Sequence, residues 1–101
     1  PVEYIPIDFK KPEWFDNKLV LVNVGRHADE KRQPLLIEGV KRSKYKNDIQ
    51  LLLIGRGERT EELKEKGKEL PVEPFIEYVS FDDKLMYLNT ADLYVHASIV
   101  E

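Results

Sequence analysis

The chain has 101 residues, no cysteine and a formal net charge of -3 at pH 7. No disulfide scaffold or thiolate metal site is therefore available, and an acidic balance without a one-sided basic patch speaks against nucleic acid as a partner. With 42% hydrophobic and 35% charged residues the composition is that of a folded domain, large enough for one core that buries about 60–70% of the unfolded surface.

Residues 1–17 mix prolines, charges and isolated apolar residues without a helical period and read as an extended lead-in or linker. Residues 18–101 are expected to form the folded unit. Its first element is KLVLVNV, Lys18 to Val24, a nearly continuous β-rich apolar run of the kind covered on both faces of a parallel sheet. A helix is expected over Asp29 to Lys44, with Asp29 as N-cap, Pro34 in the first turn and Leu36, Ile37 and Val40 as the buried stripe. IQLLLI, Ile49 to Ile54, is a second buried strand. Thr60 can cap a helix through EELKEKGKEL, where Leu63, Gly67 and Leu70 share a face and the charges suit i,i+4 ion pairs. FIEYVSF, Phe75 to Phe81, reads as a third strand and DDKLMYLNTA as a short helix capped by Asp82 or Asp83. LYVHA, Leu93 to Ala97, is a fourth strand.

The order β-α-β-α-β-α-β with short loops predicts parallel pairing through crossovers, hence a doubly wound open sheet. In such sheets ligands bind beyond the carboxyl ends of the strands, where the strand order reverses. Three loops fall there: Gly25-Arg26-His27, Gly55-Arg56-Gly57 and the stretch from His96 through Ser98 to Glu101. In the order 3-2-1-4, Arg26 would line one side of a crevice and Ser98 to Glu101 the other.

Gly25 allows close backbone approach, and Arg26 offers a planar fork of donors suited to phosphate oxygens. Lys31, placed in the first turn of the expected helix, is opposed by the positive end of the helix dipole unless an anion sits beside it. The pair thus reads as a diphosphate clamp. Ordinary solvated charges remain the plain alternative for both residues, and for Arg56. There is no Walker lysine motif, and Gly55-Arg56-Gly57 is only the start of a dinucleotide fingerprint, after the wrong strand. His27 and His96 stand far apart with no metal-ligand spacing. His27 reads as exposed loop and His96 as a packed or hydrogen-bonded residue. Tyr78, Tyr87 and Tyr94 read as packing residues, and Trp14 and Phe15 as anchors of the lead-in.

IPIDF, VNVGRHADEK, LLLIGRGERTEEL and LNTADLYVHASIVE, in this order and spacing, resemble the donor-binding half of glycosyltransferase family 4. The resemblance implies a partial Rossmann-like domain from a two-domain, retaining, metal-independent enzyme that uses a nucleotide-diphospho-sugar. It implies that Arg26 and Lys31, matching R-x-x-x-x-K, hold the donor diphosphate and stabilise the leaving group. It implies further that Glu101 is the first glutamate of the E-x7-E motif and contacts the donor sugar. Val79 and Ser80 fall near the nucleobase loop. Arg32 stands where the family often has glycine, and the glycine usual after the third strand is absent. SKYKNDIQLLL and LYVHASIVE resemble the bacterial lipid α-glucosyltransferases, which implies UDP-glucose as donor and a lipid or glycan acceptor held by an N-terminal domain this chain lacks. No metal or other cofactor is expected.

The expected site is therefore Gly25, Arg26, Lys31, Val79, Ser80, Ser98 and Glu101, with Arg26, Lys31 and Glu101 taking part in catalysis. The chain is read as a truncated domain, inactive alone, from a cytoplasmic protein peripheral to the inner membrane face. Its fourth strand would be an exposed edge prone to self-association. The alternative is a non-catalytic doubly wound binding or regulatory module, such as a receiver-like domain. Arg26 and Arg56 stand where that module needs magnesium-binding carboxylates.

Overall fold

The structure, a computed structural model, describes residues 18–95. The expected lead-in, His96, Ser98 and Glu101 lie outside the described residues. The elements are β1 (Leu19–Val24), α1 (Gln33–Arg42), β2 (Ile49–Ile54), α2 (Thr60–Gly67), β3 (Phe75–Glu77), α3 (Phe81–Thr90) and β4 (Leu93–Tyr94). The four strands form one parallel sheet in the order β3-β2-β1-β4. The chain therefore leaves β1 in one direction and returns to its other side, as the doubly wound reading requires.

The period of two along β2 sorts the core into two layers. Ile49, Leu51 and Leu53 face Ile37 and Val40 of α1 and Leu63 of α2, with Leu70 and Ile76 completing that cluster. Leu52 and Ile54 join Val20 and Val22 on the other face, where Val24, Phe75, Val79, Tyr87 and Ala91 pack against them. Both faces of β2 are covered and all six of its residues are buried, which is why five of them are apolar and the sixth, Gln50, donates its amide to backbone carbonyls.

Several boundaries differ from expectation, each for a local reason. The helix expected from Asp29 begins at Gln33, because a 3-10 turn, Asp29–Lys31, precedes it and Arg32 takes a left-handed conformation at φ 51° between them. Asp29 caps nothing with its side chain; its carboxylate instead accepts from Arg59 at 2.6 and 2.9 Å. Thr60 is the first residue of α2 and Arg59 its cap position. The third strand ends at Glu77, since Ser80 caps α3 by accepting from the Asp83 amide at 3.2 Å. Phe81 is thereby the first residue of a helix and not the last of a strand. The charges of α2 pair at i,i+3, as in Glu61–Lys64 and Glu65–Lys68, and across to α1 and its C-terminus through Lys66–Glu38 and Lys41–Glu69; no i,i+4 pair within α2 is among them.

Candidate functional site

Hydrogen bonding does not stop where the strands stop. Beyond β1 and β2 the Gly25 amide donates to Ile54 O (3.0 Å), the Gly55 amide to Glu77 O (2.8 Å), the His27 amide to Arg56 O (3.1 Å) and the Arg59 amide to His27 O (3.0 Å). The loops after β1 and β2 are thus laced to each other, and the loop after β2 to the end of β3. Such close approach sets the demand for glycine, and it falls on Gly55 more than on Gly25. Gly55 has φ +145° and a Cβ there would collide with the Gly25 carbonyl, whereas a Cβ on Gly25 would meet only Lys31 Cε at 3.9 Å. At Gly57 a Cβ would strike the His27 backbone.

Over the carboxyl ends of β1, β2 and β3 lies a cavity of about 750 Å³. Val24, Ile54 and Val79 give it an apolar floor, and Arg26, Arg56 and Lys84 place cationic side chains on its wall, with Gly25, Gly55, Gly57, Tyr78 and Phe81 completing the lining. The Arg56 guanidinium lies over the Tyr78 ring at 4.2 Å from its centre. Tyr78, expected to pack in the core, is instead 63% exposed. An apolar floor with a few cations at one end suits an amphiphilic anion with a flat apolar part.

Of the expected site residues, the structure brings Gly25, Arg26 and Val79 to this cavity. Lys31 does not line it; the Cδ and Cε of its aliphatic stem lie beside Gly25, about 4 Å from where a Cβ there would stand. Lys31 also sits at the last position of its 3-10 turn, where the helix-dipole argument for an anion no longer applies. Arg26 is exposed and donates to Glu30 at 3.3 Å. Ser80 spends its hydroxyl on the cap of α3 and lies off the lining. Arg56, Tyr78, Phe81 and Lys84 were not assigned from sequence. Arg56 repeats after β2 the glycine-arginine step found after β1, a signal that could have drawn attention to it. Lys84 gave no comparable signal, because its place depends on how α3 packs.

His27, expected to be exposed, is fully buried. Its Nε2 lies 3.1 Å from Leu53 O and its Nδ1 2.7 Å from Thr60 Oγ1. A carbonyl only accepts, so Nε2 carries the proton. Thr60 Oγ1 accepts from the Gly57 amide at 2.9 Å and donates its own proton to Nδ1. Burial holds the imidazole pKa below its ordinary value, against the pull of the Leu53 carbonyl and with help from the Lys64 charge. Gln33, also buried, donates to Arg26 O at 3.0 Å and to Asn23 Oδ1 at 3.4 Å, bracing the same loop from α1. Among the described residues no group of three or more histidine, aspartate or glutamate side chains is placed to hold a metal ion, and the carboxylate cluster a receiver-like module needs is not at the strand ends.

A doubly wound parallel sheet with a cavity beyond the carboxyl ends of its strands defines the class: an α/β domain of Rossmann-like architecture. The sequence profile of the family described as Glycosyl transferases group 1 matches residues 5–101. The chain belongs to that family. It is similar to the catalytic domain of cholesterol-alpha-glucosyltransferase from Helicobacter pylori, with 40% identity and a TM-score of 0.71 over 79% of this chain and 50% of that one. A likeness to the lipopolysaccharide outer core galactosyltransferase WaaB in its apo form, at 23% identity and a TM-score of 0.66, covers 82% of this chain and 25% of that one and concerns the fold. The chain thus spans half the length, or less, of the solved proteins it matches. A search of curated protein sequences found no match.

Proposed function

We propose that the chain supplies the donor-binding part of a retaining glycosyltransferase and holds a nucleotide-diphospho-sugar over the carboxyl ends of β1 to β3. The observation that carries this reading is a cavity with an apolar floor lined by Gly25 and Arg26, with the Lys31 stem beside Gly25, in a chain of this family. The nucleoside would lie against Val79 and the floor, and the diphosphate would reach the Gly25 loop. Arg26 and Lys31 would then neutralise the charge that grows on the leaving nucleotide diphosphate, with no metal required for that task. By the family resemblance Ser98 and Glu101 would complete the site, with Glu101 as the contact to the donor sugar.

The 40% identity to a cholesterol glucosyltransferase favours a glucosyl donor and a lipid hydroxyl as acceptor, over a glycan acceptor, and the family resemblance implies UDP as the nucleotide. That assignment places the work in glycolipid synthesis for the cell envelope, at the cytoplasmic face of a membrane. Among the described residues no helix is long and apolar enough to cross one. The regulatory-module alternative has no comparable support.

Amide chemical-shift mapping with UDP-glucose and, separately, GDP-mannose tests the donor assignment. UDP-glucose is expected to perturb Gly25, Arg26 and Val79 at lower concentration than GDP-mannose. Perturbations confined to α2, or an equal response to both nucleotides, would overturn it.

A further inference from the structure

His27 stands directly after Arg26, yet its whole side chain faces inward. Its backbone ties to Arg56 O and to the Arg59 amide, and its ring ties to Leu53 O and to the Thr60 hydroxyl. The same hydroxyl holds the Gly57 amide. One residue of the β1 loop is thus anchored to β2, to the loop after β2 and to the first turn of α2. Arg26, which directly precedes His27, and Arg56, whose carbonyl accepts the His27 amide, both line the cavity.

We propose that His27, through the Thr60 hydroxyl, is a positioning residue that fixes the spacing of Arg26 and Arg56 across the cavity for an anionic ligand. The inference rests on the donor-site reading for the identity of that ligand, but the latch is a feature of the fold. Every polar atom in it is used: Nε2–H to Leu53 O, Thr60 O–H to Nδ1, and Gly57 N–H to Thr60 Oγ1. A doubly satisfied imidazole in a buried site has one orientation and one tautomer, and so transmits a fixed geometry to both loops. If the ring served only to fill space, an apolar residue of similar size would do, and the hydroxyl would be idle.

Thr60→Val keeps the shape at the start of α2 and removes the hydroxyl, while Thr60→Ser keeps the hydroxyl. Two readouts are taken on the full chain: affinity for UDP by calorimetry, and hydrogen exchange at the Gly57 and Arg59 amides. Thr60→Val is expected to weaken UDP binding about fivefold, the worth of one net hydrogen bond, and to speed exchange at Gly57. Thr60→Ser is expected to restore both; the ¹⁵N signature of the His27 ring is expected to show the Nε2–H tautomer in all three proteins, since the Leu53 carbonyl requires it, with the Nδ1 signal displaced in Thr60→Val alone, where its hydrogen bond is lost. Faster exchange in Thr60→Val with unchanged UDP affinity would overturn the positioning role and leave a merely structural bond. Unchanged exchange and affinity would overturn the latch altogether. Absence of UDP binding by the wild-type chain would remove the donor-site reading instead; exchange and ring signature would then decide the latch alone, retained if Thr60→Val alters them and Thr60→Ser restores them.

Discussion

His27 shows how far a single residue can depart from what its neighbours suggest. It lies in a loop between a charged residue and a run of polar ones, Gly25 to Lys31, and nothing local marks it as buried. Its burial depends on Thr60, 33 positions away, and on the Leu53 carbonyl, partners that no spacing rule supplies. The place of Gly25 and Arg26 at the cavity was legible because they directly follow a buried strand, and ligands bind beyond the carboxyl ends of such strands. The burial of His27 has a consequence for stability. Its folded pKa is depressed, mainly by desolvation, so between that value and the ordinary 6.5 the unfolded chain binds the proton and the folded chain does not. Stability is then full above pH 6.5 and falls as the pH drops through the depressed value. The lowered carboxylates Asp29, Glu30, Glu38 and Glu69 act in a separate, more acidic window, being lost only as the pH falls through their own reduced values. Thermal unfolding between pH 7.5 and 5.5 is expected to show a decline in wild type that His27→Gln largely abolishes. A decline of the same size in the variant would assign it to other groups.

At the level of elements, β1 and β2 could be read to within a residue because both are covered on two faces and each is apolar but for one buried polar residue, Asn23 and Gln50. The start of α1 could not, because a left-handed Arg32 has no residue-type signal; glycine is the usual occupant of that conformation. The exchange of a strand end for a helix start at Ser80 and Phe81 has a plainer cause. Phe81 looks like a core residue, but at the first position of α3 it is 66% exposed. Ser80 carries the information that matters there, since its hydroxyl takes the Asp83 amide. Ser80→Ala is expected to cost about 1 kcal/mol in urea denaturation, concentrated in α3, which has no fully buried residue of its own to hold it. Unchanged stability, with normal exchange at the Asp83 amide, would show that the cap contributes nothing.

Over the whole molecule, parallel pairing followed from the alternation of elements and the handedness rule for crossovers, with no need of side-chain detail, whereas the order β3-β2-β1-β4 came only from the nucleotide-binding template, since other doubly wound orders share the same alternation. The shape of the cavity did not follow, because it depends on the placing of α3 and on aromatic residues whose exposure is set by packing. Two edges remain among the described strands. On one of them, β4, Leu93 is 55% and Tyr94 51% exposed, although Tyr94 donates its hydroxyl to Val24 O. A flat apolar edge invites pairing with a second chain. Sedimentation velocity is expected to show concentration-dependent self-association that Leu93→Lys suppresses, whereas a monomer at every concentration would show that the edge is blocked.

Everything assigned to the donor site depends on Arg26 and Lys31 acting together on a diphosphate. Calorimetric titration of UDP into the wild-type chain, Arg26→Ala and Lys31→Ala measures this most directly. Charge-assisted contacts of about 1.5–3 kcal/mol predict that each variant binds at least about tenfold more weakly than wild type. Equal affinity in all three proteins would mean that the two cations do not hold the diphosphate.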